Sequence, residues 1–199
     1  MVLSYLILAH LLGDFVFQPT KLVLWKWESK NGVFVHVLIH FLISTIVLMP
    51  FLINGHLWLL GMVFLISLVH FLIDQSKINY DIKHDKKVMP FVVDQLLHFV
   101  TILAAYYFIK DFLKETAIIS GESVFYSLYS NMKIVIFVVV IILCGKVVEI
   151  FHFERRREKN KNAKFKLNSD KMLTRIIVIT LFYGLFILLS FYEQSGPLL

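Results

Sequence analysis

Six long apolar runs alternate with polar stretches along the chain, at residues 2–18, 33–53, 57–77, 91–109, 132–152 and 172–192. Each approaches the ~20 residues a helix needs to cross the hydrocarbon core of a bilayer, the first being the shortest. The breaks carry suitable residues. Pro19 ends the first run, Asn54-Gly55 makes a tight turn between the second and third, and Pro90 suits the first turn of the fourth helix. The pattern predicts an all-α polytopic membrane helix bundle of about six transmembrane helices. Residues 1–110 form a four-helix core. Residues 111–199 add an outer loop and helices five and six, joined by the basic loop 153–171.

Composition agrees. Of the 199 residues 58% are hydrophobic and 17% charged, against about 25% charged in an ordinary soluble domain. Orientation follows from Lys and Arg. The first loop holds Lys21, Lys26 and Lys30, the third Lys77, Lys83, Lys86 and Lys87, and the fifth eight basic residues from Arg155 to Lys171. The second holds none. Odd loops are therefore cytoplasmic and both termini lie outside. Trp25 and Trp27 would mark the inner interface in a short amphipathic stretch. The net charge of +6 belongs to these loops, so it points to anionic lipid head groups and away from nucleic acid. The opening MVLSYLILAHLLGDF lacks a basic n-region and a small-residue cleavage site, and reads as the first membrane helix. The single cysteine, Cys144, leaves no internal disulfide and no Cys-rich metal site.

Against this background four pairs stand out: His10/Asp14, His36/His40, His70/Asp74 and Asp94/His98. Each is spaced i,i+4, on one helix face, and each lies in a run apolar enough to span. An Asp at mid-bilayer costs on the order of 3 kcal/mol unless compensated. With helices of alternating direction and a rise of ~1.5 Å per residue, the eight fall in the cytoplasmic half in two layers. His10, His40, His70 and His98 lie ~10–12 Å from the cytoplasmic end, and Asp14, His36, Asp74 and Asp94 ~5–6 Å from it.

Imidazole and carboxylate suit a divalent transition metal such as Zn, Mn or Fe. Facing helices with ligands one turn apart are how bundles build dinuclear sites. Eight candidates exceed the four ligands of a closed zinc site and suffice for two ions, or for one ion with partners that orient its ligands. Gln18, Gln75 and Gln95 flank the layers. The same residues also fit metal-free Asp–His pairing, a proton relay or a haem site. Lys146 and Glu149 lie at i,i+3 near the inner end of the fifth helix. Their pairing is the plain reading, and Glu149 is a candidate general base beside Asp74 and Asp94.

The stretches LILAHLLGDFVFQ (6–18), HFLIDQSK (70–77) and FVVDQLLH (91–98) resemble an uncharacterised bacterial family of small multi-pass inner-membrane proteins, a domain of unknown function. The resemblance covers about residues 1–110 and implies an all-helical fold in the bacterial inner membrane, with no activity attached. A looser similarity links the His and Asp content to membrane-bound metal-dependent hydrolases. The expectation is an intramembrane metal-dependent enzyme, a hydrolase on a lipid-linked or membrane-embedded substrate at the cytoplasmic side. A divalent-cation or proton transporter, and a structural or partner-binding membrane protein, are the alternatives. The apolar outer halves of the first four helices favour a one-sided pocket.

Overall fold

The computed structural model describes residues 2–83 and 88–113, with isolated helical positions at 181 and 184. All regular structure among the described residues is helical. Helix α1, Val2–Leu11, is apolar up to His10 and runs into a π-helical turn, Leu12–Val16. The Phe17 N–H donates to the Leu12 carbonyl at 2.8 Å, the i,i+5 bond of that wider turn. Pro19 is extended (φ −65°, ψ 156°) and begins α2, Thr20–Glu28. The chain bends by 89° between Tyr5–Val16 and Lys21–Glu28.

Ser29 then caps α3, Lys30–Val47, its hydroxyl accepting from the Asn31 N–H at 3.1 Å. The short α4, Met49–Ile53, is followed by the Asn54-Gly55 turn, where Gly55 takes φ +96°, a value open to glycine. Helices α5, Leu59–Lys83, and α6, Val88–Leu113, complete the described part.

Two of the six apolar runs depart from the single helices expected of them. The run 2–18 is an α-helix plus a π-turn that ends at a right-angle bend. The run 33–53 divides at Leu48, because Pro50 has no N–H to continue the α3 ladder and instead sits in the first turn of α4. Helices α5 and α6 outrun their apolar cores at the ends that face each other along the chain. Among the described residues three helices are long and apolar enough to cross a membrane: Lys30–Val47, Leu59–Asp81 and Pro90–Lys110. They become four if the bent pair counts as one span. The runs 132–152 and 172–192, the loop 153–171, Cys144, Lys146 and Glu149 lie outside the described residues.

Helices α1, α3, α5 and α6 close a ring: α1 packs on α3 and α6, α3 on α5, and α5 on α6. The interior has two floors. One is apolar, with Tyr5, Ile7, Phe51, Val63, Ile102 and Ile109 buried together. The other holds the polar residues. The outer faces are apolar in turn. On α3, Phe34, Leu38, Leu42 and Ile46 form an exposed stripe at four-residue spacing, while Val33, His36, His40 and Ile43 face inward. Polar groups within and apolar groups without is the arrangement a bundle takes in lipid, where the outer face gains nothing from hiding apolar side chains.

Candidate metal centre

The polar floor is built from the i,i+4 pairs. Spacing of one turn puts both members of each pair on the inward face of its helix, and the ring of helices brings the four faces together. Four imidazoles form a closed quadrilateral. Ring centroids lie 4.0 Å apart for His40–His70, 4.0 Å for His70–His98, 5.1 Å for His98–His10 and 5.6 Å for His10–His40. His36, fully buried, sits one turn nearer the polar end of α3, with its ring 4.7 Å from His40 and 5.2 Å from His70.

The carboxylates fill the same layer as His36. Asp14 Oδ1 accepts from His40 Nε2 at 2.9 Å and lies 3.2 Å from His36 Nε2 and 3.7 Å from His70 Nε2. Its other oxygen, Oδ2, lies 3.7 Å from His10 Nε2 and accepts from the Gln95 amide at 3.1 Å. Asp74 faces two ways. Its Oδ2 lies 3.5 Å from His36 Nε2 and 3.8 Å from His70 Nε2, and its Oδ1 3.4 Å from His98 Nε2. Asp94 Oδ1 completes the far side, 3.5 Å from His98 Nε2. All eight residues expected at the site are therefore brought together. Gln95 joins them, whereas Gln75 donates to Asn79 one turn on along α5.

Two cations reach the site that the sequence placed only in loops or helix ends. Lys26 of α2 pairs with Asp74 Oδ2. Lys77 of α5 pairs with Asp94 Oδ2 at 2.8 Å. With its amide oxygen toward Lys26 Nζ at 2.8 Å, Gln18 donates from its nitrogen to the Asp14 carbonyl at 3.1 Å. The amide atom that faces Lys26 also lies 3.4 Å from His36 Nδ1. A proton on Nδ1 directed at that oxygen leaves the Nε2 lone pair toward the carboxylates.

Two glycines permit this geometry. A Cβ on Gly13 in the π-turn would lie 2.3–2.6 Å from the His40 ring. A Cβ on Gly32 would lie 2.5–2.6 Å from the backbone of Trp25 and Lys26. Gly32 thus lets α2 fold back on α3, which is what carries Lys26 to Asp74.

Three groups could each hold a metal ion: His10, Asp14, His40 and His70; His36, His70 and Asp74; and Asp74, Asp94 and His98. Within each, one ligand atom per residue lies within 4.8 Å of every other. Bonds of about 2.1 Å place tetrahedral ligand atoms about 3.4 Å apart, and most separations above fall close to that. Moreover, Asp94 Oδ1 and His98 Nε2 are buried with no hydrogen bond among the described residues. The two face each other at 3.5 Å, and His98 Nε2 also faces Asp74 Oδ1 at 3.4 Å, so an ion between them and an Asp–His pair both suit the spacing.

Residues 2–125 match the family described as protein of unknown function DUF3307. The chain belongs to the DUF3307 family. The match takes in every helix described above and all eight His and Asp residues, so the polar floor lies wholly within the DUF3307 region. No curated protein and no solved structure matches the chain.

Proposed function

We propose that this DUF3307 protein is an intramembrane metal-dependent hydrolase of the bacterial inner membrane, acting at the cytoplasmic side on a lipid-linked or membrane-embedded substrate. The observation that carries the reading is Asp74, whose two oxygens face different histidines, His36 with His70 on one side and His98, grouped with Asp94, on the other. A carboxylate so placed suits the bridge of a two-ion site in a helix bundle.

His36 and His70 with Asp74 would hold one ion, His98 and Asp94 with Asp74 the other, and His10, Asp14 and His40 complete a third candidate set with His70. The mixed imidazole and carboxylate set suits Zn, Mn or Fe. Such an ion polarises a carbonyl or phosphoryl oxygen and lowers the pKa of a coordinated water to about 7. The chain's own part is to orient and compensate. Gln18 and Gln95 fix the orientation of His36 and Asp14, and Asp94 takes the proton at the oxygen that does not face His98. Lys26 and Lys77 balance carboxylate charge. Glu149 is proposed as a further base. The apolar floor of Tyr5, Phe51, Val63 and Ile102 closes the opposite half of the bundle, which favours a one-sided pocket over a path for ions or protons.

The two lysine pairs favour a second reading, a metal-free network of Asp, His and Lys that fixes helix pairing. Elemental analysis of the purified protein separates the two. The first reading expects one or two equivalents of a transition metal, removed by chelator and absent from a His70→Ala, Asp94→Ala double variant. Metal-free protein that is insensitive to chelator and retains its cellular function would sink it.

A further inference from the structure

A groove of about 470 Å³ runs between α5 and α6 on the outside of the bundle. Its walls are Val69, Leu72 and Ile73 of α5 and Val93 and Leu97 of α6, and its polar end is Lys77 with Asp94 in the lining. The volume is that of an ordinary ligand pocket, about 300–1,000 Å³. From Val69 to Tyr80, the extent of the α5 wall, eleven residues rise about 16 Å, close to one leaflet of a hydrocarbon core about 30 Å thick. Leu72, Val93 and Leu97 are exposed, so among the described residues nothing covers this surface.

Lys77 joins the groove to the metal centre. Its ammonium pairs with Asp94 on the inside and lies 5.0 Å from the centroid of the Phe91 ring. Its side chain is 24% exposed, unlike the carboxylate it meets, which is 3% exposed. Among the described residues Lys77 is the cation in the groove's lining, and it stands between the outer surface and the carboxylates. That is the arrangement a phosphate needs if its acyl chain lies along the trough, since a lone lysine attracts the phosphate as a point charge.

We propose that the α5–α6 groove binds one anionic phospholipid, with an acyl chain along Leu72, Val93 and Leu97 and the phosphate at Lys77. The site names the port by which a lipid substrate would reach Asp94. The choice of an anionic head group rests on the metal reading above, because Asp94 must be engaged by the ion for Lys77 to be released to phosphate.

Native mass spectrometry tests it on the full chain in detergent, with equal amounts of phosphatidylglycerol and phosphatidylethanolamine, both metal-loaded and chelator-treated. One lipid per chain should survive detergent stripping in both states. Phosphatidylglycerol should be preferred about fivefold in the loaded state, the effect of one lysine at an anionic surface. Leu72→Trp with Leu97→Trp should abolish retention, and both positions are exposed, so the core is undisturbed. Leu42→Trp on the α3 stripe should not. Lys77→Met should keep the lipid and lose the preference.

Equal retention in the groove-filled and Leu42→Trp variants would overturn the site, as would no retention at all. A photo-crosslinker at Leu72 that captures residues 132–152 or 172–192, or a second copy of the chain, would overturn it too. Protein that takes up no metal on loading yet retains one lipid would remove the hydrolase and the head-group preference and leave the acyl-chain site. Metal-loaded protein without lipid would do the reverse.

Discussion

The imidazoles of His70 and His98 stack with centroids 4.0 Å apart and planes inclined by 22°. They come from HFLIDQ on α5 and DQLLHF on α6, which read as near mirror images along the sequence. Antiparallel helices turn mirrored sequence into matched depth. Each His therefore meets the other ring, Asp74 reaches His98 on α6, and Asp94 reaches Lys77 on α5. Two rings in such contact disfavour a doubly protonated state, since like charges this close repel.

Removing a ligand tests the centre directly. Changing a residue that only orients a ligand weakens metal binding by about 10–100-fold. His70→Ala, which takes a residue common to two of the three candidate groups, should weaken it at least as much. Titration of chelator-treated protein with Zn or Mn, followed by calorimetry, reads the change. Unaltered affinity would place the metal elsewhere.

Lys26→Met separates the metal-loaded from the metal-free protein. Leaving a buried partner uncompensated costs about 3–5 kcal/mol, and Lys26 pairs with the nearly buried Asp74. The metal-free variant should therefore unfold at clearly lower temperature than the wild type in the same detergent. Added divalent metal should restore most of the loss, because the ion takes over the carboxylate charge. Loss without rescue would favour the lysine network alone.

Gly13→Ala should displace His40, whose ring lies within 2.3–2.6 Å of the added methyl. Overpacking of this kind costs about 1–3 kcal/mol, and metal binding should fall with it. Gly61→Ala is the control. Nothing lies within 4 Å of a Cβ there, and alanine in a helix gains about 0.5–1 kcal/mol over glycine. Paired thermal unfolding and metal titration of the two variants show whether the π-turn glycine is specific to the site.

Orientation is read from the Lys and Arg asymmetry of the loops. In a Cys144→Ser background, a cysteine replacing Asn162 should be protected from impermeant thiol reagents in intact cells, and one replacing Ser120 should react. The reverse pattern would move the site to the opposite face of the membrane.

The eight site residues were legible because a membrane makes polar side chains conspicuous. His and Asp at i,i+4 within apolar runs have few uses, and alternating helix direction converts sequence position to depth. The helix breaks were less legible. Pro50 shows in the sequence, yet its effect on the second run depends on the turn that follows. A π-turn at Leu12–Val16 leaves no local signature; its Asp14 and Gly13 meet His40 on α3, a contact remote in sequence. Lys26 was invisible as a site residue. It lies 48 positions before its partner, on a stretch whose tryptophans and lysines speak equally for an interface. Lys77 had a signal, since three carboxylates in an apolar setting need cations and it follows Asp74 by three residues.

The two lysine pairs share an order. Lys26 precedes Asp74 in the chain, and Lys77 precedes Asp94. A ribosome therefore delivers each cation before the acid it will neutralise. A chain cut short anywhere after Asp74 still contains Lys26, and one cut short after Asp94 still contains Lys77, so no truncated product carries either carboxylate without the lysine that pairs with it.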